Sequence, residues 1–576
     1  MPVRPFEPGG IDRKYRKRPL PMADRPEFQS PELGTMNVAP RKVRPMYADD
    51  HWNSQPWYEA PREDPDIPEV YTYTDAISYD PGDEVTFHST STAKTWRMQI
   101  YRDGLHPETV HEVEAINGVF SSTPKDAYRN GCNWPVSHQW TLPVDLKSGF
   151  YRVVSTCERP NGIKFVQHHF FVVRPTDKTR RAKILMVLPT GTWTSYNDFG
   201  GANHYFGVEG ENQDQPSPVL SLERPWTRGI VWLPAGAPRI CADPAPEMGD
   251  APRYAMKEWA YANGFGQYYA AAGWAQFDRH FVLWAEREGF ELDMITQTDL
   301  HYRPELLDAY PCVTIIGHDE YWTWEMRETI ERYVEGGGHL ARFGANFLWQ
   351  IRLEEDGKRQ ICHKFKASQK DPVAGTDKAH LLTSAWEDHT VKWPGASTVG
   401  VNGAHGMYAS WGGFAPNGQK GMTVYRPTHW AFAGTGLHYA DIFGDKQHIF
   451  AYEVDGLDYT FRHGLPYPVE VEGQPDTIEI LAMSPAVLAE DEPEGEGFRY
   501  YVRGSDHEGL VECVTGEVTP EGLAKYKYGS GMMVHMTRGK GEVLTAATCE
   551  WVMGLKRGDP FTQRITRNIL DRFTAG

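Results

Sequence analysis

Cysteine is scarce in this chain and shows no pairing pattern: seven residues in 576, with no CxxC pair and no knuckle spacing. That excludes a disulfide framework and a zinc ribbon, and it points to a reduced compartment, the cytoplasm. No apolar run reaches the length of a membrane span, so no membrane partner is expected. The amino-terminal stretch MPVRPFEPGGIDRKYRKRPLPMADRPEF is basic but has no apolar core, and does not read as a signal peptide. Positive charge is also short. The 59 Lys and Arg face 77 Asp and Glu, for a formal charge of −18, which argues against nucleic acid and favours small or neutral partners. The Gly-rich segment GGFAPNGQ has neither GxGxxG nor P-loop grammar. There is no internal repeat.

Aromatic residues, by contrast, are plentiful: 19 Trp, 25 Phe and 29 Tyr, as in proteins with clefts or large interfaces. The chain changes texture twice. Residues 1–66 are irregular and Pro-rich, an extended arm of the kind that stays disordered or packs on a neighbouring subunit, so a homo-oligomer is expected. Residues 67–176 alternate apolar and polar positions around DPGD and PNG turns, which predicts an all-β module, an immunoglobulin-like β-sandwich. CNWP at 132–135 reads as packing. From 177 to 576 continuous apolar strands (KILMVLP, ELDMIT, CVTII, HLARFG) alternate with amphipathic helices, the pattern of a doubly wound α/β domain with β-rich C-terminal elaborations. Thr323 is the expected cap of the helix in WTWEMRETIERYVEGGG. The Pro- and Gly-rich stretch 207–253 predicts an insertion over the carboxyl edge of the sheet, a lid or binding loop. The acidic run AEDEPEGEG at 489–497 reads as a solvated loop.

In an open α/β sheet, ligands collect beyond the carboxyl ends of the strands. Tyr196 and Asn197 follow the first strand, His318 and Glu320 follow CVTIIG, and Asn346 follows HLARFGA. Three strand ends thus offer Tyr, His, Glu and Asn to one crevice. His318 and Glu320 are two apart, and in extended chain such residues point to one side, so they could serve one ion. An HxE triplet is common by chance; the bland alternative has Glu320 capping the helix near 323 and His318 bonding locally. Comparable sheets in class I glutamine amidotransferases, which this domain resembles, carry a nucleophilic Cys at a strand-to-helix elbow. Here that position is Gly317-His318 and the nearest sulfur, Cys312, begins the strand, so a thiol mechanism is not expected.

SYNDFGG, GHDEYW, VEGGGHLARFGANFLWQIR, HWAFAGTGL, YEVDG and GKGEVLTAATCEW occur in this order. Together they resemble the large subunit of the N,N-dimethylformamidase family, over roughly residues 70–574. The resemblance implies a mononuclear iron centre, ferric, held by Tyr, His and Glu. Matched to the motifs, these are Tyr196, His318 and Glu320, with Tyr261 in YANGFG as the rival tyrosine. It implies further polar residues at Asn346, Glu453 and Lys366 (or Lys364 in the same HKFK). Their implied roles are oxyanion donor for Asn346, general base and then acid for Glu453, and a polar contact for the lysine. The implied activity is hydrolysis of a small N-substituted amide into acid and amine, with a metal-activated water as nucleophile. The resemblance also implies that the arm stands where the fuller enzyme has a lectin-like domain, and it raises a small partner subunit as a further partner. Two alternatives stand beside it: a non-catalytic ligand-binding module, and a zinc-dependent hydrolase on the same scaffold.

Overall fold

A computed structural model describes residues 58–160, 162–208, 215–241, 255–406, 408–410, 420–469, 473–487 and 504–575. The arm up to residue 57, the segment GGFAPNGQ and the acidic run 489–497 lie outside the described residues. The end of the arm is packed rather than loose: Glu59 is buried, and the Arg228 Nε donates to it at 2.5 Å.

Two antiparallel sheets face each other over residues 70–173. One has three strands, in the order Val70–Thr74, Glu84–Ser91, Val136–Thr141. The other has five, in the order Ser78–Tyr79, Lys164–Val173, Gly149–Glu158, Thr95–Arg102, Glu108–Asn117, with its short edge strand parallel to its neighbour. Alternation places Val85, Phe87, Trp96, Met98, Ile100, Tyr151, Val153 and Phe171 in a common core with Cys132 and Trp134. Phe150 leaves that core and stacks on Trp274 of the following domain, with ring centroids 4.0 Å apart and planes 3° from parallel. The buried Asp103 fastens the same junction by accepting from Trp274 Nε1 and Arg279 Nε.

The central sheet of the second domain has eleven strands. In chain order they are β1 Ile184–Leu188, β2 Leu292–Thr296, β3 Cys312–His318, β4 His339–Ala345, β5 Tyr408–Ser410, β6 Met422–Val424, β7 Ile442–Phe443, β8 Tyr452–Glu453, β9 Glu479–Val487, β10 Tyr528–Arg538 and β11 Gly541–Thr545. Their order is β2-β1-β3-β4-β11-β10-β9-β5-β8, with β6 and β7 attached beside β9. β2, β1, β3, β4 and β11 run parallel, and the sheet turns antiparallel from β10 onward. The parallel strands are apolar without alternation because both faces are covered. Ile184, Met186 and Leu188 of β1 enter one core, Leu185 and Val187 the other. Helix Trp324–Gly336 is capped by Thr323, whose side chain accepts from Met326 N, and it stops at Gly337, φ 115°. The helix after Gly273 starts as a π turn, Trp274–Asp278, before continuing as Arg279–Arg287.

The stretch 207–253 is, in its described part, more than a cover. Val219–Ser221 pairs with Arg359–Ile361, and Trp226, Ile230 and Val231 are core residues. Arg239 grips Glu550 with two nitrogens, at 2.7 and 2.9 Å.

Candidate metal centre

The chain leaves β1 towards β2 on one side and later returns to β3 on the other. The order therefore reverses between β1 and β3, and a crevice opens at their carboxyl ends. The short helix Thr190–Tyr196 after β1 ends on Tyr196, and β3 ends on His318. Several backbone turns around this crevice take positive φ: Gly317 (70°), Asn346 (68°), Tyr452 (64°) and Ala547 (53°). Gly317 has no alternative, since a Cβ there would lie 2.3 Å from that of Phe277. The other three are held in a conformation that non-glycine residues seldom adopt, as is common at functional sites.

His318 points its Nδ1 at the Ala271 carbonyl, 3.0 Å away, which assigns that nitrogen the proton. Its Nε2 faces Glu453 Oε2 at 2.5 Å and Glu320 Oε2 at 3.2 Å. These are close approaches of charge, yet neither has the direction of a hydrogen bond: His318 Nε2 and Glu453 Oε2 are both buried without a hydrogen-bond partner. Burial alone would lower the His318 pKa; the carboxylates of Glu453 and Glu320 reverse this and raise it to about 10. Burial lifts Glu453 above its usual value, with His318 pulling against it and Glu320 adding to it. The Asn346 amide adjoins Glu453 and eases its ionisation, although neither Nδ2 nor Oδ1 completes a hydrogen bond.

Glu320 does not cap the helix. Tyr205 OH donates to both of its oxygens (2.8 and 2.7 Å), and Tyr196 OH donates to Oε2 at 3.1 Å. Burial opposes its ionisation, but the adjacent His318 ring, the field of Lys364 and the bond from Tyr205 keep it below its usual value. Burial, then the charges of Glu320 and Glu453, push the Tyr196 phenol far above its usual range. Such a phenol ionises only beside a cation. Tyr205 stacks on Tyr196 with centroids 4.4 Å apart and accepts from Tyr321 OH at 2.7 Å. Asn203 shapes its loop by accepting from Tyr205 N and donating to the Tyr196 carbonyl.

The structure thus brings Tyr196, His318, Glu320, Asn346 and Glu453 together. It leaves Lys366 out: that side chain is exposed at the end of the turn Lys364–Lys366. Lys364, at φ 52°, takes the place expected for Lys366 and carries its ammonium 3.3 Å from the centre of the Tyr205 ring. Tyr261 belongs to helix Ala255–Asn263, and its side chain lies outside the described residues. Three neighbours were not read from the sequence. Tyr205 lies nine residues after Tyr196. Tyr452 immediately precedes Glu453 and sets its ring edge-on to His318, at 5.1 Å and 77°. Cys549 places its sulfur within 4.8 Å of ligand atoms of both His318 and Glu453. Tyr452 and Cys549 lie within the motifs YEVDG and GKGEVLTAATCEW, whereas Tyr205 lies beyond SYNDFGG and no motif marked it.

A second group of metal-ligating type, His429, Glu479 and His535, also gathers within 4.8 Å. Its histidines are engaged. Ala431 N–H donates to His429 Nδ1 (3.2 Å), which assigns the proton to Nε2; this donates to His535 Nδ1 (3.2 Å), and His535 Nε2 donates to Glu542 (2.9 Å). No helix among the described residues is long and apolar enough to cross a membrane.

Against known proteins, the family model described as N,N-dimethylformamidase beta subunit-like, C-terminal, matches residues 92–565. The N,N-dimethylformamidase beta subunit of an Alcaligenes species is 27% identical over 237 residues, 38% of this chain and 28% of that protein. The beta subunit from Paracoccus aminophilus is 26% identical over 238 residues, with the same coverage. The chain therefore matches little more than a quarter of the length of these curated relatives. A solved structure, the sporulation control protein Spo0M from Bacillus subtilis, aligns with 19% of this chain and 50% of its own at 21% identity, but the TM-score of 0.14 carries no argument.

Proposed function

The chain belongs to the N,N-dimethylformamidase beta subunit-like family, and from that premise we propose that it is a mononuclear iron-dependent amidohydrolase. Its substrate would be a small N-substituted, formamide-type amide, cleaved to acid and amine. One observation carries the reading: buried polar atoms of His318, Glu453 and Asn346, left without hydrogen bonds, converge with Glu320 and Tyr196 at the reversal of strand order. Buried unpaired polar atoms cost free energy unless a partner is bound.

The residues fit a hard cation. Asp319 and Asp455 share the buried guanidinium of Arg342, and Glu320 and Glu453 add two more buried carboxylates beside His318, so the pocket is rich in oxygen donors. Phenolate and carboxylate oxygens suit ferric iron. Tyr196, His318 and Glu320 would hold the ion, which when bound would polarise the amide carbonyl and acidify water. Glu453, with its raised pKa, would take the proton of the attacking water as the new C–O bond forms. It would then return that proton to the amine nitrogen as the C–N bond breaks. The Asn346 amide would donate to the carbonyl oxygen as it gains negative charge. Tyr205 and Lys364 would hold Glu320 ionised and in place.

The relatives' name, beta subunit, supports a partner subunit for this chain as well, and the unpaired cysteines are what supports a cytoplasmic location. On strand number and order, the two-sheet module is read as immunoglobulin-like and the α/β domain as glutamine amidotransferase-like. A second reading rests on Cys549: with His318 and Glu453 it forms a softer N, O, S donor set that suits zinc. The test is elemental analysis of protein purified without added metal, with amide turnover assayed alongside. About one iron per chain, visible colour and turnover are expected. Stoichiometric zinc without colour would establish the second reading, and a metal-free protein would mark a binding module.

A further inference from the structure

Asp319 stands between His318 and Glu320, and Asp455 stands two residues beyond Glu453. Both are fully buried, and both meet the guanidinium of Arg342, from the middle of β4. Arg342 Nε donates to Asp319 Oδ2 at 2.8 Å and Nη2 to Oδ1 at 2.6 Å; Nη1 donates to Asp455 Oδ2 at 2.7 Å. The remaining oxygen, Asp455 Oδ1, accepts Phe347 N–H at 2.9 Å, one residue after Asn346. Backbone bonds run the same way: Asp319 N–H donates to the Ala345 carbonyl, and Asp455 N–H to that of Ala547.

We propose that Arg342 is a positioning residue, a fork that sets the distance between the strand end bearing His318 and Glu320, the turn bearing Asn346, and the strand end bearing Glu453. The argument is geometric. Those segments come from β3, from the turn after β4 and from the antiparallel part of the sheet, and β8 is not hydrogen-bonded to β3 or β4. Backbone pairing ties Glu453 to β5 and to the segment after β11, the latter through the Val454–Thr548 bridge and the bond from Cys549 N–H to the Glu453 carbonyl. No strand pairing joins it to His318, although their side-chain atoms sit 2.5 Å apart. A planar guanidinium with donors on three sides can hold two carboxylates in one plane; an ammonium, as a point charge, cannot set both directions. Asp319 and Asp455 never face the ligand atoms, so their charge is used for placement. The functional part of this role rests on the metal reading above; the structural part does not.

Amide hydrogen exchange of the full chain tests the structural part without metal or substrate. In Arg342→Lys, exchange should accelerate together in peptides covering 317–322, 345–349 and 452–457, by tenfold or more, while β1 and the sandwich strands stay at wild-type rates. Uniform acceleration through the sheet would reduce Arg342 to a general core ion pair, and acceleration in only one of the three segments would also overturn the fork. Breaking a buried pair can prevent folding, so the neutral triple variant Arg342→Met, Asp319→Asn, Asp455→Asn provides a second route to the same three-segment pattern. Metal titration tests the functional part: Asp319→Asn should weaken metal binding about 10–100-fold, as loss of an outer partner typically does. Unchanged affinity would overturn the functional part, whereas a wild-type protein that binds no metal would sink the metal reading and leave the exchange result to decide the fork.

Discussion

Among the described residues, the central sheet carries two histidine–carboxylate clusters of metal-ligating type, and their residue types alone would not tell them apart. At the crevice, His318 lies between Glu320 and Glu453, with buried nitrogen and oxygen atoms that no hydrogen bond satisfies. On the antiparallel side, His429, His535 and Glu542 form a relay in which each donor has an acceptor, and Glu479 beside them is exposed. On the proposed reading, what separates the two is not proximity of ligand-type side chains but unpaired polar atoms that an added partner would satisfy.

The largest expected effect would break this comparison outright. Glu320→Gln or His318→Ala should abolish both metal retention and turnover, while His429→Ala and His535→Ala should leave metal content at the wild-type level by elemental analysis. Loss of metal from His535→Ala would put the ion in the wrong cluster. Next comes Glu453→Gln, nearly isosteric, which should keep its metal but lose about 10²–10⁴-fold in turnover, the usual contribution of general acid–base catalysis. A rate within a few-fold of wild type would remove Glu453 from the chemistry.

Spectroscopy sharpens the crevice side. A phenolate on ferric iron absorbs visible light by charge transfer, so Tyr196→Phe should bleach the protein while Tyr205→Phe and Tyr261→Phe should keep the band. Bleaching by either of the latter would reassign the ligand. The relay side should respond to pH instead. Burial, with His535 and Arg572 adding to it, lowers the His429 pKa to about 3. In acid the unfolded chain thus takes up a proton that the folded one refuses. Stability should fall as pH drops from 6.5 towards 3, and a His429→Asn variant should show a shallower fall in Tm over that window. Glu542, held at about 2 chiefly by the bond from His535, with Arg572 helping, gives the same sign, its stabilisation fading from 4.5 downward. The smallest effect is at the cap: Thr323→Ala should cost about 0.5–2 kcal/mol in denaturant unfolding and leave metal content untouched.

Much of the architecture was legible in particular runs. ILMVL and CVTII announce parallel strands because both faces of such a strand are buried, and Thr323 with Gly337 brackets a helix because its ends need partners for their free N–H and C=O groups. The HxE spacing of His318 and Glu320 placed two side chains on one side of an extended segment, where the structure has them. Lys366 shows the limit: HKFK offers two lysines two residues apart, and only the folded chain shows that Lys364 faces the Tyr205 ring while Lys366 is exposed.

What the sequence determined by itself was local: which segments are strands, where helices begin, and which polar residues follow each strand, since periodicity and capping act over a few residues. The tertiary structure alone decided that β3 lies beside β1, across from β2, and that an antiparallel return brings Glu453, 135 positions further along the chain, to 2.5 Å from His318. It also decided that Tyr205, Tyr452, Cys549 and Arg342 complete the surroundings. Pairing between distant strands depends on how whole faces pack, and no short window of residues carries that information.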